Sequence, residues 1–195
     1  SRERRRMHGA YYVTVQDAMG GRNYPDLIGV TYSNFDTHGQ TVDPQFFVED
    51  PGHQGRRVNL PYRALLPAKV DGLLVTGLGM SAHRDAMPIL RMQPDVQNQG
   101  YTAGLAAAQA VRTGVALRAI DVKALQRELV GKGILHAEEL KEPEAFPLSD
   151  EELAAAVAAL GTDYRDLAKV LSDRTRARPL LERAYAAADA GARRV

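Results

Sequence analysis

Asp71-Gly72-Leu73-Leu74-Val75-Thr76-Gly77-Leu78-Gly79 is the stretch whose reading decides the fold. Gly72 to Thr76 reads as a short apolar strand, of the kind that suits a parallel sheet covered on both faces. Gly77 and Gly79 stop it. Met80 to Gln93 then reads as a polar loop. Pro94-Asp95 opens a helix that reaches Val111 and is crowded with Gly100, Ala103, Gly104, Ala106, Ala107 and Ala108. Proline suits the first helical turn, where its missing N–H costs nothing. A strand, a glycine break and a small-residue helix make a ligand cradle. The glycines admit close backbone approach, and in open α/β sheets the ligand crevice lies at the carboxyl ends of the strands. The start of the helix favours negative charge by roughly 0.3–1 kcal/mol, and by up to about 2 in a partly buried site. The same spacing also fits any βα unit with a tightly packed helix.

Upstream of this unit, Ala10 to Val15 is β-branched and aromatic and reads as a strand. Thr14 is placed to cap a helical turn, Gln16 to Met19, which Gly20-Gly21 closes. Leu27 to Tyr32 reads as a second strand, and Asn34 to Gly55 as loop. Val58 to Pro67 is extended, with prolines that keep it out of a central sheet position. Downstream, Thr113-Gly114 ends the small-residue helix. Asp121 caps a helix over Val122 to Val130 that ends at Gly131-Lys132-Gly133. Glu138 to Pro147, charged and proline-bearing, reads as a linker. Ser149 and the acidic turn after it start a helix with Leu153, Val157 and Leu160 at helical spacing. Tyr164 to Leu171 and Ala177 to Ala188 read as two more. Residues 148–195 thus form a small helical appendage, loosely resembling helices of a HEAT-type repeat.

Composition narrows the function. The 195 residues are 45% hydrophobic and carry a net charge of +1, so no global field points to nucleic acid or an anionic membrane. The basic run Arg2 to Arg6 is broken by Glu3 and lacks interleaved aromatics, so it reads as a solvated strand edge. No apolar run approaches the roughly 18–20 residues of a membrane span. The absence of cysteine excludes disulfides and thiolate metal sites within this sequence and fits a cytoplasmic protein. The five histidines include no pair at metal-ligand helical spacing. The sequence opens at Ser1 with no signal peptide, as a cut chain or fragment does.

Three side chains stand out as candidate catalytic groups. His83 lies in the loop between the strand and the cradle helix, where it suits a surface-loop histidine or, if the cradle holds a redox cofactor, a proton-transfer group. Arg63 and Arg91 can each grip an anionic substrate through a bidentate guanidinium, although each also suits an ordinary salt bridge. Asp36 and His38 share one strand face and read as a hydrogen-bonded structural pair.

An ordered set of segments carries a family resemblance: Leu60 to Pro67, Val70 to Gly77, Ser81-Ala82-His83, Leu90 to Pro94, and Gly100 to Gly104. Together they resemble the carboxyl-terminal part of bacterial FAD-dependent oxidoreductases with a glutathione-reductase-like cofactor domain, over about residues 1–135. Tyr11 to Asp17 and Phe35 to His38 resemble that family's substrate-domain strands. The resemblance implies an α/β fold (α+β overall). Residues 1–70 would be substrate-domain strands and loops. Residues 71–135 would be part of a Rossmann-like FAD-binding domain, 136–147 a linker, and 148–195 the appendage. It implies FAD as cofactor and a small organic substrate that gives a hydride to the flavin. Gly77, Leu78 and Gly79 would approach the ribityl–pyrophosphate part, and Arg91, Met92 and Gln93 would run beside the isoalloxazine. The N–H groups of the Pro94-Asp95-Val96-Gln97 turn would face its pyrimidine edge. Leu78 stands where many relatives have a charged residue, which leaves only a backbone contact there. The family's Gly-x-Gly-x-x-Gly turn for the ADP half is absent, so an upstream half or a partner subunit would supply it. A non-catalytic binding or scaffold module with a partner-docking tail is the alternative.

Overall fold

A computed structural model describes residues 5–35, 41–48, 55–144 and 146–188. The Asp36–His38 pair, Arg2 to Arg4 and part of the Asn34–Gly55 loop lie outside the described residues. The elements in order are α1 (Val15–Met19), β1 (Leu27–Ser33), β2 (Arg56–Pro61), α2 (Met87–Leu90), α3 (Gln93–Thr113), α4 (Val122–Gly131), α5 (Asp150–Ala159), α6 (Leu167–Ser172) and α7 (Arg174–Ala187). The chain is therefore mixed α/β, with a two-stranded antiparallel sheet in which Leu27 faces Pro61 and Ser33 faces Arg56. Among the described residues no helix is long and apolar enough to cross a membrane.

One core gathers Val13, Leu27, Leu60, Leu65, Met80, Ile89, Leu90, Leu125 and Leu129, all essentially inaccessible to solvent. It draws on residues on both sides of position 70. Several local expectations hold because the chemistry is local. Thr14 and Asp17 form a reciprocal capping box around α1. Gly114 ends α3 in the left-handed region, and the Asp121 carboxylate accepts from the Ala124 N–H to start α4.

Other expectations are corrected. Gly72 to Thr76 is not a strand. Val75 N–H donates to the Leu65 carbonyl at 2.9 Å, but among the described residues no neighbouring strand continues the ladder, and Leu73 is exposed. Ala10 to Val15 is not one either. It makes an isolated bridge from Val13 to Ala82, after one from Gly9 to Pro67, and the Thr14 cap then draws Val15 into α1. Met80 to Gln93 is not a polar loop. Met80, Ser81, Ala82, Ala86, Ile89 and Leu90 are wholly buried, and α2 lies within the stretch. The polar His83 and Arg84 hide an apolar pattern too short to show a period.

The charged stretch after α4 is fastened to the body rather than loose. Arg57 pairs with Glu142, Arg22 pairs with Glu144 at 2.8 Å, and Phe146 is buried. The three tail helices enclose their own small core of Leu148, Leu153, Val157, Val170 and Ala177. Helix α6 packs on α1. Gly20 makes room for Phe146, since a Cβ there would meet Phe146 Cζ at 3.2 Å and the Gln16 carbonyl at 2.8 Å, with Ala168 of α6 at an ordinary 3.6 Å.

Candidate functional site

An open cleft of about 740 Å³ lies between the turn Gly77–Gly79 and the start of α3. Thr76, Gly77, Leu78 and Gly79 form one wall, and Arg91, Gln93, Val96 and Gln97 the other. Seven of the ten residues expected at a cofactor thus line one space, although they come from two segments. Met92, Pro94 and Asp95 do not line it. Gly77 has φ +62, a conformation that side chains strain to adopt. A Cβ there would reach Val96 Cγ1 at 3.5 Å and narrow the cleft. The requirement for glycine is therefore local to this wall, and the residues present fit a ligand held by close backbone approach.

Gly77-Leu78-Gly79-Met80-Ser81-Ala82 spells the Gly-x-Gly-x-x-Ala form of a dinucleotide fingerprint, but its geometry is different. The glycines form a single 3₁₀ turn, Met80 leaves it extended, and no helix begins there. A phosphate-binding fingerprint needs a helix N-terminus directly behind the turn, so this segment is a turn that lines the cleft and not a pyrophosphate turn.

The two walls are tied together by a residue that no motif marks. Gln99, on the buried side of α3 and 3% exposed, accepts the Gly77 N–H through Oε1 at 2.8 Å. Its Nε2 donates to the Leu90 carbonyl at 2.9 Å. The only trace in the sequence is its position. Gln99, Thr102, Ala106 and Gln109 recur at helical spacing and form the buried face of α3. Gly100 and Gly104 lie on the other face, with nothing within 4 Å of a Cβ at either. The two glycines of the small-residue stripe therefore make no close packing among the described residues, whereas Ala106 is buried in the core.

The start of α3 presents fewer donors than expected. Val96 N–H is taken by the Met92 carbonyl at 2.9 Å, and Gln97 lies one position deeper in the helix. Gln93 and Asp95 are the residues of the first turn whose N–H groups precede the intrahelical ladder, since Pro94 has none. The Asp95 side chain turns away from the cleft. It shares a small cavity with Gly29, Thr31, Asn98 and Gln99 beneath β1, and burial raises its pKa to about 6.

The three candidate catalytic side chains are not brought together. Arg91 lines the cleft. His83 does not. Its Nδ1 accepts the Asp85 N–H at 3.2 Å, which assigns the proton of the neutral ring to Nε2, and Tyr12 lies edge-on to it with ring centroids 6.3 Å apart. Arg63 is committed elsewhere. Its Nε and Nη2 each donate to Asp26 at 3.0 Å, and the guanidinium covers the Tyr11 ring.

Tyr11 leads to a second polar cluster. Arg22 lies within 5.5 Å of the ring centres of Tyr11, Tyr24 and Phe146 and pairs with Asp17 and Glu144. Asp17 also accepts from the Tyr11 hydroxyl and the Thr14 N–H, both at 2.9 Å. Burial, and then the Asp17 charge, push the Tyr11 and Tyr24 phenols well above their ordinary range. These tyrosines stay neutral and act as structural groups.

Residues 1–129 match the family model described as FAD dependent oxidoreductase. No curated protein and no solved structure matches the chain.

Proposed function

The chain belongs to the FAD dependent oxidoreductase family and uses FAD as its cofactor, and from that premise we propose that the cleft beside Gly77–Gly79 receives the flavin end of FAD. The observation that supports this reading is the convergence of a positive-φ glycine turn, Arg91 and the first turn of a 21-residue helix on one open space. Bound there, FAD supplies a two-electron acceptor for a hydride from a small organic substrate.

The chain's own groups divide the remaining tasks. The Gly77–Gly79 backbone lies along the ribityl–pyrophosphate part. Arg91 and Gln93 flank the ring, and Met92, which does not line the cleft, takes no part in it. The N–H groups of Gln93 and Asp95, with the helix dipole, stabilise negative charge at its pyrimidine edge. Arg91 positions an anionic substrate group, whereas His83, which does not line the cleft, has a role only if the substrate extends beyond it toward Nε2. Arg63 has no part in this set, because Asp26 holds its guanidinium. Residues 71–135 then act as the carboxyl-terminal part of a Rossmann-like FAD domain, and 1–70 as substrate-domain segments. A Gly-x-Gly-x-x-Gly half, from upstream sequence or a partner subunit, holds the ADP end. The exposed α3 face of Gly100, Gly104, Ala107 and Val111 is open to pack on it.

The test is reconstitution. Joined to the segment or subunit carrying that turn, the protein binds FAD and shows flavin absorbance. Arg91→Ala then lowers turnover at least tenfold while the fold persists. A folded, completed protein that cannot be loaded with FAD would overturn the proposal.

A further inference from the structure

Resting on the placement of the flavin in this cleft, we propose that Gln99 is the positioning residue that sets the two walls of the cofactor site. Its amide joins Gly77, in the glycine turn, to Leu90, directly before Arg91. The side chain is 3% exposed, and both of its polar atoms are used.

The polarity of the link matters. Gly77 offers only a donor and Leu90 only an acceptor, so residue 99 must present an acceptor and a donor side by side. An amide does this at every pH. A hydrocarbon leaves both backbone groups without their partner. A carboxylate satisfies Gly77 but sets negative oxygen against the Leu90 carbonyl, whereas a neutral carboxylic acid restores both bonds, its carbonyl accepting and its hydroxyl donating.

That difference yields a test that a space-filling role cannot imitate. In the completed protein, FAD affinity is measured for wild type, Gln99→Leu and Gln99→Glu from pH 4.5 to 8, with amide exchange at Gly77 followed in parallel. Gln99→Leu is expected to weaken FAD binding about tenfold and to speed Gly77 exchange. Gln99→Glu is expected to bind FAD as wild type does at the acid end and about tenfold more weakly at pH 8. Burial lifts the new carboxyl above its ordinary range. Asp95 shares the small cavity with residue 99 and titrates in both proteins, so the wild-type profile removes its contribution.

FAD affinities of both variants equal to wild type across the range would overturn the role of Gln99 and leave the flavin placement standing. So would a Gln99→Glu defect that does not reverse in acid. A wild-type protein that binds no FAD would overturn the placement, and this inference with it.

Discussion

Around the cleft, the surfaces offered to a ligand are backbone and amide: a glycine turn, a helix start and the Gln99 link behind them. Around Arg22, a similar density of polar groups converges on one guanidinium, which meets two carboxylates and three aromatic rings. The difference separates recognition from fastening. The ion pairs of the Arg22 cluster join α1, the approach to β1 and the segment after α4, although Arg22 Nε and the Tyr24 hydroxyl have no hydrogen-bond partner among the described residues and a cavity of about 390 Å³ opens beside Tyr11, Asp17 and Arg22. The cleft instead opens a positive-φ turn and the start of α3 onto a space of about 740 Å³. Arginine alone therefore does not mark the functional site: Arg63 belongs with the fastening cluster and Arg91 with the cleft.

The sharpest way to break this comparison is Arg22→Ala. It leaves Asp17 buried with one charge partner fewer and removes three cation–π contacts. The expected loss is about 2–3 kcal/mol of unfolding free energy, read by denaturant titration, with FAD affinity of the folded fraction unchanged. A large loss of FAD affinity at full stability would instead make Arg22 a ligand group.

Arg63→Ala comes next. Asp26 keeps little solvent, while Arg63 is itself partly exposed, so the expected loss is about 2 kcal/mol. The KM for substrate should not move, and a raised KM at unchanged stability would return Arg63 to the substrate site. Gly77→Ala tests the cleft wall. Strain in the left-handed region amounts to about 1–2 kcal/mol, and FAD affinity should fall by more than thermal stability predicts, because the added Cβ faces Val96.

Asp95→Asn has the smallest effect and a defined pH window. Burial raises the folded-state pKa to about 6, above its ordinary 3.8. The stabilising contribution is therefore fully present below about pH 4 and is lost as pH rises through 6. The asparagine variant should match wild type near pH 4 and be more stable by about 1 kcal/mol at pH 8, after allowance for solvent screening. Equal stabilities at pH 8 would show that the carboxylate is well solvated.

The helix boundaries at Thr14, Gly114, Asp121 and Ser149 were legible because a cap is a contact between residues a few positions apart. The segments that line the cleft were also legible in part, since glycine breaks and a proline-started helix leave local marks. The state of Gly72 to Thr76 was not, because a strand exists only by pairing and its composition does not name a partner. Nor was the assignment of Arg63, which depends on a carboxylate 37 positions away.

A recurring device falls in the illegible part. Gln16, Gln99, Gln109 and Gln126 are buried on helices and bind distant groups: Asp43 and Gln45, Gly77 and Leu90, the Asp121 carbonyl, and the Pro25 and Leu27 carbonyls. In sequence each is an unremarkable polar residue. By itself the sequence determined the caps that bound several helices, most of the residues that line the cleft, and the family to which the chain belongs. Tertiary structure alone decided which polar side chains are consumed in holding the fold and which face the cleft. Local periodicity and capping are short-range, whereas satisfying a buried donor or charge depends on whichever partner the fold brings beside it.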